Sequence, residues 1–126
     1  MAYSLSFDGP LLLIRCFDTL TMADLGAIVD DVIELEQGGT HAPPRMTDLR
    51  AVTDSAVRYP DLAKLAERTR TRPLAAPVLS AIVVSQPVQL GYARMFQTLS
   101  EHPHVTMRIF EDEVAAREWL VLPSRV

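Results

Sequence analysis

Tyr3, Leu5 and Phe7 alternate with Ser4 and Ser6, the period-two pattern of a strand with one dry face. Asp8-Gly9-Pro10 is turn chemistry. Leu11 to Phe17 follows as a second strand, apolar on both parities apart from Arg15. The two predict an antiparallel hairpin with the first strand outermost. From Thr21 the spacing becomes helical: Leu25, Ile28, Val29, Val32 and Leu35 share one face. Asp30, Asp31, Glu34 and Glu36 are assigned to the solvated face. Thr21 and Asp24 form a capping-box-like start, and Gly38-Gly39 the stop.

Pro43-Pro44 leads into a third strand, Arg45 to Leu49, and the polar stretch Ala51 to Tyr59 reads as a loop. Pro60 opens a second helix with Leu62, Leu65 and Ala66 as its buried stripe and Lys64, Arg68, Arg70 and Arg72 as its basic side. Val78 to Val84 is apolar on both parities, which predicts a central strand buried on both faces. Ser85-Gln86-Pro87 turns it into a third helix with Val88, Tyr92, Met95, Phe96 and Leu99 facing the core. Leu90, Arg94 and Gln97 fall roughly opposite and form a candidate interface. After the His102-Pro103-His104 turn, Val105, Met107 and Ile109 alternate with Thr106 and Arg108, as an edge strand does. Acidic residues Glu111 to Glu113 introduce a last helix packed through Ala115, Ala116, Trp119 and Leu120, and residues 124–126 read as a frayed tail.

The order is ββαβαβαβα: a single α/β domain spanning residues 1–126, with a mixed five-stranded sheet and four helices. Strand–helix–strand units cross right-handedly, so sequential neighbours would place their helices on one side of the sheet. The two-sided strand Val78 to Val84 then needs a second cover: a helix, the hairpin or another copy of the chain. A homodimer is one expectation on that ground.

Composition narrows the function. With 126 residues there is room for one real core. A net charge of -4 argues against general nucleic-acid binding. Cys16 is the sole cysteine, so no internal disulfide forms, and its place in a buried strand makes it a small hydrophobe. The N-terminus has neither a basic segment nor a long apolar run, so the expectation is a cytoplasmic protein without membrane insertion.

Catalytic signatures are missing: no glycine-rich phosphate loop, no paired cysteines, no serine elbow. His102 and His104 are two ligands where zinc wants three or four, so no metal or cofactor is expected. Asp18, Asp48 and Ser85 end successive strands like a phosphate-accepting receiver, but Glu111-Asp112 stands where a receiver needs lysine. An enzyme would need Asp48, Ser55 or His102 to converge, and a non-enzymatic module is expected instead. Ligands of open α/β sheets sit beyond the carboxyl ends of the strands, which makes Asp48, Arg50, Ser85 and Gln86 candidate contacts for a small hydrophobic or anionic ligand. Thr53 and Ser55, read as lying before the second helix, are candidate phosphoacceptors.

The element order, together with Asp48 to Thr53 (DLRAVT), Gly91 to Gln97 (GYARMFQ) and Ile109 to Leu120 (IFEDEVAAREWL), resembles small bacterial STAS-like proteins of the SpoIIAA-like, STAS/SEC14 type. The resemblance spans essentially the whole chain and is strongest in GYARMFQ. It implies a regulatory module that works through protein contacts, as the anti-sigma-factor antagonists do. The SEC14-like label implies a hydrophobic ligand. In the antagonists the phosphorylated serine opens the second helix within a run resembling Asp-Ser-Ser-Gly. Here Asp54-Ser55-Ala56-Val57 stands in about that position, with one serine and no glycine.

Overall fold

The computed structural model describes residues 2–38, 42–74 and 76–121. These form β1 (Tyr3–Asp8), β2 (Leu11–Leu20), α1 (Met22–Gly38), β3 (Arg45–Ser55), α2 (Tyr59–Thr71), β4 (Val78–Val83), α3 (Pro87–Leu99), β5 (Val105–Phe110) and α4 (Glu113–Val121). The frayed tail expected at residues 124–126 lies outside the described residues. Strand order follows the sequence, β1-β2-β3-β4-β5, with β1 antiparallel to β2 and the other pairs parallel. The mixed five-stranded sheet is therefore as expected, although β3 rather than β4 is the middle strand.

Alternation along the strands sorts side chains onto two faces. Leu12, Ile14 and Cys16 of β2 pack with Tyr3, Leu20, Ile28 and Val32 beneath α1. Ile82 and Val84 meet Ala93 of α3 on that same side. The opposite parity, Leu11, Leu13, Met46, Ala81 and Val83, packs against Ala116 and Leu120 of α4. The second cover over β4 is thus a helix. It can lie on the far face because α4 follows the last strand and no crossover rule binds it.

Two expectations change. The stretch expected as a loop is strand: β3 runs to Ser55, and its pairing with β4 stops at Asp48. Beyond that point Phe17 to Leu20 pairs with Ala51 to Ser55 as a two-stranded ribbon, with register shifts around Asp18. Asp18 takes φ 56° there, a left-handed conformation that a short polar side chain tolerates better than most. In α3 the buried residues are Gln89 and Ala93. Val88, expected in the core, is 63% exposed, whereas Leu90 packs on the Ile82–Val84 cluster.

The capping pair of α1 forms as read. Asp24 N–H donates to Thr21 Oγ1 (3.2 Å) and Thr21 N–H to Asp24 Oδ2 (3.3 Å). The Thr21 hydroxyl leads the groups that hold the Asp24 carboxyl below its usual range, against the opposing effect of burial.

Candidate functional site

The space between the helices and the sheet is the most informative feature of the molecule. A cavity of about 300 Å³ lies under α1, α2 and α3. Sheet residues Ile14, Thr47, Leu49 and Ile82 form its floor, and Val32, Leu65 and Phe96 are among its walls. Thr47 and Leu49 stand on the middle strand beneath helices, yet both are only half-buried, because the cavity lies above them. An apolar cavity of ~150 Å³ already holds benzene, and ligand sites start at roughly 300 Å³.

The cavity has two different ends. Its exposed lining residues, Thr53, Asp54 and Val88, all lie at the carboxyl ends of the strands, on the β2–β3 ribbon and the first turn of α3. The opposite end is lined by Arg45, Arg72, Ser80 and Ser100. There Glu36 of α1 receives both arginines. Arg45 Nη1 donates to Oε2 at 2.8 Å, while Arg72 donates through Nε to Oε1 (2.5 Å) and Nη2 to Oε2 (2.8 Å). The side chains are 0% (Glu36), 9% (Arg45) and 6% (Arg72) exposed. Burial alone would raise Glu36, but Arg72 and Arg45 outweigh it and hold the carboxyl below its ordinary value. Burial lowers Arg45, with the neighbouring Arg72 charge adding to it and Glu36 opposing.

His102, at the turn before β5, fixes Arg72 from behind. Its Nδ1 accepts from His104 N–H (3.0 Å), so Nε2 carries the proton that meets the Arg72 carbonyl (2.8 Å). That gives the His-Pro-His turn a structural task. No group of three or more potential metal ligands occurs among the described residues.

The ligand and phosphoacceptor candidates singled out from sequence are distributed over three places. Asp48 and Arg50 lie on the α4 side, in a network of their own. Arg50 donates to both Asp48 oxygens (2.9 Å each) and to Glu113 (2.5 Å), and Arg15 reaches Asp48 (2.7 Å). Arg117 closes the network onto Glu113 and Asp8 (2.8 Å each). Ser85 and Gln86 cap α3, where both N–H groups donate to Gln89 Oε1 (2.8 and 3.1 Å). The two pairs do not share a pocket, and the N–H groups of Ser85, Gln86 and Gln89 at this helix start are already bonded. Thr53 and Ser55 lie on β3 at the outer end of the cavity, not in a loop. Ser55 Oγ accepts from Val57 N–H (3.2 Å), and α2 begins only at Tyr59. Of the interface candidates, Arg94 is exposed, Leu90 packs inward, and Gln97 donates to the Met107 carbonyl (2.8 Å).

No family model and no curated protein matches the chain. Among solved structures, the chain resembles an uncharacterised protein of the DUF3478 family from Shewanella loihica PV-4, which has a SpoIIAA-like fold. The match has a TM-score of 0.60 at 18% identity and covers 94% of this chain and 92% of that one. The fold is SpoIIAA-like. At that identity the likeness speaks for the architecture alone, so the function of this SpoIIAA-like chain has to be argued from its own cavity and surface. None of the helices among the described residues is long and apolar enough to cross a membrane.

Proposed function

We propose that this SpoIIAA-like domain is a non-enzymatic binding protein that encloses a small hydrophobic ligand between its sheet and helices α1 to α3. The observation behind this reading is the cavity of about 300 Å³, walled mainly by aliphatic and aromatic side chains. A core of ordinary density contains few voids larger than a water molecule, so a space this size needs a use. Scaling from the ~150 Å³ cavity that holds benzene, it takes roughly a dozen non-hydrogen atoms. Exposed Val88, at the start of α3, provides apolar surface at the outer end. Native mass spectrometry of freshly purified protein, followed by thermal-shift measurement with medium-chain amphiphiles, tests the reading. A co-purified mass of small-molecule size or a rise in Tm supports it. A clean apo mass with no shift across the panel rejects it.

A second reading, a cytoplasmic regulatory module acting on a protein partner or on itself as a homodimer, draws on the SpoIIAA-like fold and on exposed Phe7, Val114 and Val121. Light scattering after size exclusion at high concentration, with a pull-down, decides it: a monomer without partners counts against it.

A further inference from the structure

The inner end of the cavity has a charge imbalance. Two guanidiniums, Arg45 and Arg72, share the single carboxylate of Glu36, and all three are withdrawn from water. Among the described residues, Glu36 is the only carboxylate that forms an ion pair with either arginine. Within this cluster of described residues one positive charge therefore lies buried without a paired counter-ion, a costly arrangement in a low-dielectric interior.

The surplus is not shared equally. Arg72 is engaged on three atoms: Nε and Nη2 bond Glu36, and Nη1 bonds the Thr69 carbonyl. Arg45 meets Glu36 through Nη1 alone, although a guanidinium presents five N–H donors. Its direct neighbour in the sheet is Ser80, paired with it across β3 and β4 and so on the same face. Ser80 is also buried, and both residues line the cavity. A planar fork of donors beside a hydroxyl, at the end of an apolar slot, matches a carboxylate.

We infer that the cavity's inner end is the seat for the carboxylate of a medium-chain fatty acid, held by Arg45 and Ser80. The inference rests on the hydrophobic-ligand reading and specifies its ligand class and orientation. The carboxylate supplies the missing negative charge, and the acyl chain runs over Thr47 and Leu49 towards Val88. Glu36 and Arg72 are positioning residues: they hold the Arg45 guanidinium at the end of the slot.

Isothermal titration with decanoate and with decanol, whose chains match and whose heads differ in charge, tests this. Decanoate is expected to bind at least tenfold more tightly than decanol to the wild-type protein. Arg45→Met leaves Glu36 and Arg72 as a balanced pair and should cancel the preference while keeping decanol binding. Ser80→Ala, a small change in a strand, should reduce decanoate affinity several-fold and leave decanol unaltered; it also serves if Arg45→Met does not fold. Equal binding of the two compounds to the wild type, or an undiminished preference in both variants, overturns the carboxylate seat while the hydrophobic cavity stands. Binding of neither compound overturns both.

Discussion

The two faces of the sheet use the same strands for opposite ends. Under α4, Leu11, Leu13, Met46, Ala81, Val83, Ala116 and Leu120 are all buried and close-packed. At the edge of that face, Arg15, Arg50 and Arg117 meet Asp8, Asp48 and Glu113 in a partly exposed, charge-balanced network. Under α1 to α3, by contrast, buried and half-buried side chains surround a large cavity, and the ion cluster, nine-tenths or more withdrawn from water, is unbalanced. A balanced network at the surface pins a helix. An unbalanced one at the end of an apolar space is what the proposed carboxylate would complete. The lesson is that α4 makes the domain stable enough to keep room on its other side.

The largest expected difference lies between the ion clusters. Glu36→Gln leaves two buried guanidiniums without a charged partner and should cost about 3–5 kcal/mol in urea denaturation. Glu113→Gln, in the partly exposed network, should cost no more than about 1 kcal/mol. Similar losses at the two sites would erase the contrast between the faces.

Next comes a pair on one strand. Met46 and Leu49 are three residues apart on β3 and point to opposite faces. Met46 is 0% exposed, and Met46→Ala should cost about 2–5 kcal/mol. Leu49 is half-buried beside the cavity, so Leu49→Ala should lose only about 1 kcal/mol, half the transfer energy of a buried leucine. Equal costs would mean that the face under α1 to α3 is packed as tightly as the face under α4.

Acid should act on both faces. Glu36, Asp48 and Glu113 are each held below the ordinary carboxylate range. For Glu36 and Asp48 the arginines override burial, and for Glu113 the bond from Arg117 leads. On acidification the unfolded chain takes up these protons first. Stability is therefore complete above a pH of about 4.5 and is lost as the pH falls from there through the folded-state values. Equilibrium unfolding between pH 7 and pH 3 should show that decline, and Glu36→Gln should make it shallower. An unchanged acid limb in the variant would remove Glu36 from the account.

Much of this was legible in the sequence. The two-sided apolarity of Val78 to Val84 required cover on both faces, and α3 and α4 provide it. The period-two pattern placed Val105, Met107 and Ile109 on one side of an edge strand. The ribbon at Ala51 to Ser55 was obscured by its polar residues, though β-branched Val52 and Thr53 hinted at strand. The buried ion cluster was harder to see. Glu36 was grouped with Asp30, Asp31 and Glu34 by charge, yet it extends the series Ile28, Val32, Glu36 at spacing four, along the buried stripe. Arg45 likewise shares the parity of Thr47 and Leu49. The assignment of Glu36 to the solvated face is therefore overturned: spacing along the helix and parity along the strand outweigh charge at these two positions. The cavity itself left no trace in the pattern, because a residue facing a hole and one facing a neighbour are equally apolar.

The smallest effect expected is a ligand-dependent change in the labelling rate of Cys16, which is buried beneath α1 and lines the cavity. Burial, with lesser contributions from Asp48 and Asp24, pushes its thiol up to about 12. At pH 8 about one thiol in ten thousand is then ionised, and the thiolate is the reacting form. Iodoacetamide should therefore label the native protein orders of magnitude more slowly than the urea-unfolded chain. A cavity that admits small molecules makes a further difference. Reagent that reaches Cys16 through the cavity competes with ligand, so saturating decanoate should slow native labelling severalfold. Labelling through the cavity should also be insensitive to low urea, whereas labelling that depends on global unfolding rises with urea along the slope of equilibrium unfolding. A flat urea dependence below the transition therefore separates a cavity open to small molecules from one reached only when the domain unfolds.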